Sequence, residues 1–289
     1  ASTVSSRGIY KFPVKKASMK EYPDLQSSSY DLEYCSWSNL PEDDFILQDD
    51  KPWVIGEFVW TGFDYLGEPT PYDTSWPARS SYFGMVDLAG IPKDRYYLYR
   101  SRWNTEKETL HILPHWNWEG REGEKTPVFV YTNYDRAELF VNGKSQGIQI
   151  KNDSTPQTRY RLMWNEVIYE PGTLKVIAYT QDGSVAAEKT VETAGKPYAI
   201  QLEADRKTIT ADGNDLSFVT VSVVDKVGNI CPTATNRLNF KVTGNGEFKA
   251  VANGDPTSLE AFHKPTMKLF SGKLVVLVRS DIASGDIRL

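Results

Sequence analysis

Gly56-Glu57-Phe58-Val59-Trp60-Thr61-Gly62-Phe63-Asp64-Tyr65-Leu66-Gly67-Glu68-Pro69 decides how the chain is read. Together with Val54 and Ile55, the apolar residues Phe58 and Val59 give the pattern of a buried strand over Trp53–Trp60. The run breaks at Gly62 and opens into a long loop, to about Tyr82, rich in Trp, Asp, Glu, Tyr and Pro. A buried strand that ends in aromatic and acidic residues is how a barrel enzyme builds a ligand pocket. Aromatic rings suit the apolar faces of a sugar, and carboxylates suit its hydroxyls. Trp60 at the strand end, with Asp64, Tyr72 and Trp76 in the loop, are therefore the candidate substrate-binding residues. Two have a plainer alternative, Trp60 as a core cap and Asp64 as a solvated or turn-capping carboxylate, while Tyr72 and Trp76, with Asp73, would form the pocket rim. Glu57 and Glu68 are assigned the solvated or capping role.

Outward from this stretch, residues 1–106 read as mixed and irregular. A short helix is expected at Glu42–Asp49, after Pro41 and before Lys51-Pro52. A second helix, with an aromatic face, is expected over Asp94–Trp103. Strand, long loop and helix make one βα unit, too little for a stable domain, so this third looks like the end of a larger (β/α) barrel. From about Lys107 the chain changes to short strands: Pro127–Thr132, Ala137–Val141 and Leu174–Thr180, with hairpin signals at Asn142-Gly143 and Asp182-Gly183. Lys196-Pro197 is the expected linker to a second set of strands at Tyr198–Glu203, Leu216–Asp225, Leu238–Val242, Phe248–Ala252 and Leu274–Arg279. Lys226-Val227-Gly228-Asn229 and Thr243-Gly244-Asn245-Gly246 are its turns. The expected architecture is mainly β: the terminal βα portion of a (β/α)8 barrel (1–106) and two immunoglobulin-like β-sandwiches (107–195 and 196–289).

Bulk properties narrow the class. The 289 residues suffice for two or three domains, and a net charge of −5 offers no electrostatic handle on nucleic acid or anionic membrane. No apolar run approaches the ~20 residues of a membrane span. Cys35 and Cys231 read as unpaired thiols and leave the compartment open. Eight Trp and 16 Tyr tilt mildly toward carbohydrate chemistry, though aromatic sandwich cores have the same composition.

The pocket stretch resembles the last barrel strand of family 2 glycoside hydrolases, the β-galactosidase and β-glucuronidase group, and the resemblance runs down most of the chain. It implies a retaining hydrolase of terminal β-glycosides and favours the sugar-contacting role for Trp60. Such enzymes need two carboxyl groups ~5–5.5 Å apart. In the family the nucleophilic Glu is followed by a Ser/Thr-rich stretch, which Ala1-Ser2-Thr3-Val4-Ser5-Ser6-Arg7-Gly8 resembles. The resemblance thus implies that both catalytic carboxylates lie upstream of Ala1, that no catalytic residue sits in this chain, and that the chain alone is inactive. By analogy with polysaccharide-degrading bacteria it also suggests a periplasmic or secreted location.

Two clusters carry other options. His111 and His115 have the i, i+4 spacing of a helical zinc pair, but Pro114 and strand-like flanks argue against a metal, and no cofactor is expected. Trp116-Asn117-Trp118 offers a sugar-binding platform if both rings share a strand face, or else packing between sandwich and barrel. The resemblance favours packing. Ala211-Asp212-Gly213-Asn214-Asp215 and Asn253-Gly254-Asp255-Pro256 read as turns, the first lacking the spaced ligands of a calcium loop. The alternatives to an enzyme tail are a carbohydrate-binding module and a purely structural accessory sandwich.

Overall fold

Residues 3–289 are described by the structure, a computed structural model; Ala1 and Ser2, at the start of the Ser/Thr-rich stretch, lie outside the described residues. The fold is mainly β and divides into two compact units, residues 1–87 with 92–193, and residues 88–91 with 194–289. No helix among the described residues is long and apolar enough to cross a membrane.

In the first unit, β1 (Ala17–Ser18) and β2 (Glu33–Tyr34) make a short parallel pair, followed by helix α1 (Pro41–Asp50). Helix α1 starts where its sequence dictates. Pro41 fills the first turn, where a missing N–H costs nothing. Glu42, Asp43 and Asp44 complement the positive helix end, and the Asp43 carboxylate accepts the Leu40 N–H at 3.1 Å. Helix α2 (Asp94–Trp103) mirrors this logic, with Asp94 in the first turn and Arg100 and Arg102 in the last. Its Asp94 accepts hydrogen bonds from Tyr10 Oη and lies against His111 Nε2, each at 2.6 Å. His111 in turn stacks on Tyr97 with ring centroids 3.9 Å apart. The histidine thus belongs to a packing network.

The strands that follow are β3 (Leu110–Leu113), β4 (Val128–Thr132), β5 (Arg136–Val141), β6 (Lys144–Ile150), β7 (Leu162–Trp164), β8 (Thr173–Tyr179) and β9 (Val185–Glu192), with the short helix α3 (Pro156–Tyr160) before β7. They form two antiparallel sheets, ordered β3-β4-β7 and β6-β5-β8-β9. The tight β5–β6 hairpin turns at Asn142 and Gly143, both at positive φ (49° and 78°), the conformation that Asn-Gly adopts at low cost. One core draws on both sheets: Val128 and Val130 of β4 and Leu162 of β7 meet Leu139 and Val141 of β5 and Val176 of β8. The alternate residues of β4, Phe129 and Tyr131, face the other way, into a second core with Tyr30, Leu32, Phe45, Leu98 and Tyr99. Strand β4 is therefore buried on both faces, which explains its unbroken apolar run.

Trp116 lies within the first core, its indole donating to the Glu170 carbonyl at 2.9 Å. Trp118 stacks on His115 and meets Phe12 edge-on at 5.2 Å. The platform alternative, with both rings on one strand face, does not hold: residues 114–118 are not a strand, because β3 ends at Leu113, just before Pro114.

The second unit contains β10 (Ala199–Ala204), β11 (Leu216–Val224), β12 (Arg237–Asn239), β13 (Thr243–Gly244), β14 (Gly246–Ala252), β15 (Thr266–Lys268), β16 (Lys273–Ser280) and β17 (Ile287–Arg288). A four-stranded antiparallel sheet, β10-β11-β16-β14, accompanies the pairs β12-β15 and β13-β17. Val221, Val251, Met267, Leu274 and Val276 fill its core. Asp225 closes the turn after β11 by accepting the N–H groups of Val227 and Asn229 at 3.0 and 2.9 Å. Two expectations need correction. The strand expected over Leu238–Val242 stops at Asn239, since Phe240 N–H turns to the Pro265 carbonyl. Thr243-Gly244 is a bridge paired with β17 as well as a bend. Gly244 is required there, because a Cβ would sit 2.1 Å from the Asp286 carbonyl oxygen.

The largest correction concerns Trp53–Trp60, which is not a strand. Among the described residues no strand pairs with it, and its largest apolar side chains face solvent: Ile55 and Phe58 are fully exposed, while Val59 packs partly against the core of Tyr30, Phe45 and Leu98. A segment that lies beside no strand has no ladder to form, whatever its apolar pattern.

Candidate sugar-binding loop

The loop that follows Trp60 is ordered by its own backbone and by one buried ion pair. Residues 61–67 run beside residues 79–86. Met85 and Val86 N–H bond the Thr61 and Gly62 carbonyls at 3.1 and 3.0 Å, Asp64 N–H bonds Val86 O at 2.9 Å, and Gly67 N–H bonds Arg79 O at 2.7 Å. At Gly84 the two runs approach so closely that a Cβ would lie 2.2 Å from the Asp64 nitrogen. The peptide bond between Trp60 and Thr61 is cis.

Asp64 is the anchor. It is buried, pairs with Lys93 Nζ at 2.7 Å and accepts Gly84 N–H at 2.8 Å. Lys93, also buried, donates to the carbonyls of Ser5 and Tyr82 at 2.7 and 3.2 Å. All three ammonium donors thus have acceptors, the condition for keeping a charge inside a protein. Burial pushes the Asp64 carboxyl up to about 6, against the opposing pull of Lys93 and of Gly84 N–H. Burial likewise draws Lys93 down, opposed by Asp64. The ion-pair geometry and the donor set describe an ionised pair at neutral pH.

Tyr72 is also interior. Its ring lies 5.1 Å from that of Tyr82, among Val4, Cys35 and Phe83, and its hydroxyl accepts Tyr22 N–H at 3.2 Å. The structure thus buries both Asp64 and Tyr72 within the first unit. Trp60 and Trp76 stand at the surface, 57% and 74% exposed. Trp60 donates its indole N–H to Tyr65 Oη at 3.1 Å, and Tyr65 donates to the Glu68 carboxylate. Phe63 and Leu66 add exposed apolar surface to the same loop.

Sequence reasoning gave no weight to Lys93, Tyr65 or Gly84. Nothing in Ile91-Pro92-Lys93-Asp94 marks a buried lysine, since the chain supplies its acceptors from residues far apart in sequence. Glu57, expected to be solvated, is partly buried, and its carboxyl is pushed up to about 7 by burial and by the negative charge of the neighbouring Asp44. Among the described residues no group of three or more His, Cys, Asp or Glu is arranged to hold a metal ion.

A β-rich scaffold with an anchored, aromatic-faced loop suits a carbohydrate-active protein, and comparison with known proteins specifies which. Residues 200–289 match the glycoside hydrolase family 2 C-terminal domain 5, and residues 123–187 match a domain of unknown function. The chain belongs to glycoside hydrolase family 2. It is 47% identical to the beta-galactosidase BoGH2A of Bacteroides ovatus over all of its own length and 34% of that protein's. It is 34% identical to a putative beta-glucuronidase of Formosa agariphila, over 80% of this chain and 22% of the other. Among solved structures, a beta-glycosidase from Bacteroides vulgatus superposes with a TM-score of 0.85 at 31% identity, covering 99% of this chain and 39% of that one. The chain therefore spans 22% to 39% of the length of these relatives.

Proposed function

We propose that this chain is the C-terminal part of a retaining glycosidase of β-galactosidase type, which hydrolyses terminal β-glycosides through a glycosyl-enzyme intermediate. The observation that carries the reading is the 47% identity to a beta-galactosidase along the entire chain. Residues 1–106 are the closing portion of a (β/α)8 barrel, and residues 107–195 and 196–289 are two immunoglobulin-like sandwiches. The bare apolar side chains of Ile55 and Phe58 support this. A last barrel strand carries such residues to meet neighbouring strands and helices. Both catalytic carboxylates belong to the preceding part of the polypeptide. Trp60 and Trp76 contribute aromatic surface to the sugar site, while Asp64 and Tyr72 hold the loop from behind. The partner is a carbohydrate; neither nucleic acid nor membrane is involved, and no cofactor takes part.

Without an acid, a base or a nucleophile the chain by itself has no route to turnover. The test is to assay the isolated chain, and the longer polypeptide that contains it, on aryl β-galactoside and aryl β-glucuronide. The longer polypeptide is expected to hydrolyse the galactoside and the isolated chain neither. Turnover by the isolated chain within about three hundred-fold of the longer form would overturn the assignment. For the sandwiches, the complete burial of Trp116 favours a supporting role over a sugar-binding platform.

A further inference from the structure

Trp60 is a large ring at the surface, yet its orientation is set by two residues that the sugar-contacting reading leaves out. Its indole N–H donates to Tyr65 Oη at 3.1 Å, and Tyr65 donates onward to Glu68 Oε2. The direction of this chain is fixed by chemistry. An indole only donates, an ionised carboxylate only accepts, and a phenol between them does one of each. The two rings meet edge-on, 83° apart with centroids at 6.0 Å. Tyr65 is itself held firmly: its N–H bonds Ser81 Oγ at 3.1 Å, and its carbonyl accepts Ser81 N–H at 2.7 Å and Ser80 Oγ at 3.1 Å. The adjacent Asp64 is locked by Lys93. Glu68 sits at positive φ after Gly67, in the turn that brings its carboxylate back to the Tyr65 hydroxyl.

We propose that Tyr65 and Glu68 are positioning residues, a hydrogen-bonded relay that fixes the Trp60 ring in the orientation required to stack on a sugar. The inference rests on the reading of Trp60 as a sugar contact. An exposed Trp free to change rotamer loses that freedom when ligand binds, so a ring held beforehand gives tighter binding. Burial and the Glu68 hydrogen bond both raise the Tyr65 phenol, which keeps it a donor through the neutral range. The relay ends on a charged acceptor, the stronger kind of hydrogen bond. None of this requires Tyr65 or Glu68 to touch the substrate.

The test is a double-mutant cycle in the longer, active polypeptide, with kcat and KM measured on an aryl β-galactoside and the melting temperature of each variant recorded. Tyr65→Phe keeps the ring but loses the relay, and is expected to lower kcat/KM about three- to tenfold. Glu68→Ala is expected to do the same, and Glu68→Gln, which still offers an acceptor oxygen, to stay near wild type. In a Trp60→Ala background, Tyr65→Phe should have no further effect, because the ring it positions is gone. A Tyr65→Phe loss of equal size with and without Trp60 would overturn the relay, since that marks a general structural role. A silent Tyr65→Phe beside a damaging Trp60→Ala would overturn the relay alone. A silent Trp60→Ala would remove the sugar contact itself, and the relay with it.

Discussion

Arg161 and Glu42 are both wholly buried, far apart in the first unit's sequence, and they form an ion pair. Arg161 also donates to Tyr131 Oη at 3.1 Å and lies 5.1 Å over the Tyr131 ring. Burial pulls its guanidinium down to about 10, with the charge of Asp31 opposing. Arg161→Met keeps most of the side-chain volume but strands the Glu42 carboxylate in the interior. Removing one partner of a buried pair costs about 3–5 kcal/mol, chiefly because the remaining charge is uncompensated. The orphaned Tyr131 hydroxyl adds about 1 kcal/mol. At roughly 2–4 °C per kcal/mol for a unit of this size, the melting transition should fall by about 10 °C or more. The companion variant decides the cause. Glu42→Leu combined with Arg161→Met removes both charges together and should recover to within about 1 kcal/mol of the parent. Urea unfolding followed by far-ultraviolet circular dichroism measures all three. A single-variant loss below about 1 kcal/mol, or losses that simply add in the double variant, would refute the uncompensated-charge explanation.

Three further outcomes are expected. Gly84→Ala places a Cβ 2.2 Å from the Asp64 nitrogen and 2.4 Å from the Val86 oxygen, backbone atoms that cannot swing aside; a cost of about 2–3 kcal/mol is expected, and an unchanged urea midpoint would contradict the close approach. Burial lowers the His115 imidazole to about 4 despite the opposing charge of Asp94. Its folded form therefore refuses a proton that the unfolded chain accepts below about 6.5, so its contribution is intact above that pH and is lost as pH falls towards 4. The loss should be about 2 kcal/mol for this partly buried ring, and His115→Phe should flatten it in midpoints compared at pH 7 and 4.5. Ile55→Lys with Phe58→Lys should change stability by less than about 0.5 kcal/mol while reducing self-association in size-exclusion chromatography. A loss above about 2 kcal/mol would mean that these side chains are buried in solution.

What could be read in the sequence follows the range of the forces involved. Helices α1 and α2 were legible nearly to the residue, because Pro41, the acidic first turns and the basic last turn of α2 act within a few positions. The hairpin at Asn142-Gly143 was legible for the same reason, since the φ of two residues decides it. The apolar run Trp53–Trp60 was not, because burial needs a partner and a local pattern names none. The burial of Asp64 and Tyr72 was not legible either, for the same reason. Lys93 and Tyr22 draw them inward, and neither stands out in sequence as their counterpart. Trp116 and Trp118 were separated by the end of β3 at Pro114, a breaker whose effect on ring direction was visible in principle.

The loop's two sides behave differently, and the contrast bears on how its exposed aromatic face is held. Its back is closed by Asp64–Lys93, by the Gly84 contact and by the Tyr72–Tyr82 rings, all supplied within the first unit. Its front leaves Ile55, Phe58, Trp60 and Phe63 exposed. A loop ordered from behind needs no partner to hold Trp60 and Tyr65 in place, so a partner covering the front adds walls to a preformed aromatic face. Most of the ordering entropy is then spent in folding this chain rather than in joining a partner. The measurable consequence is that Lys93→Met, which leaves Asp64 buried and unpaired, should loosen the loop in the isolated chain. Hydrogen exchange at the Asp64 and Val86 amides should accelerate while β4 and β5 stay protected. Uniform acceleration across the unit would refute a locally anchored loop.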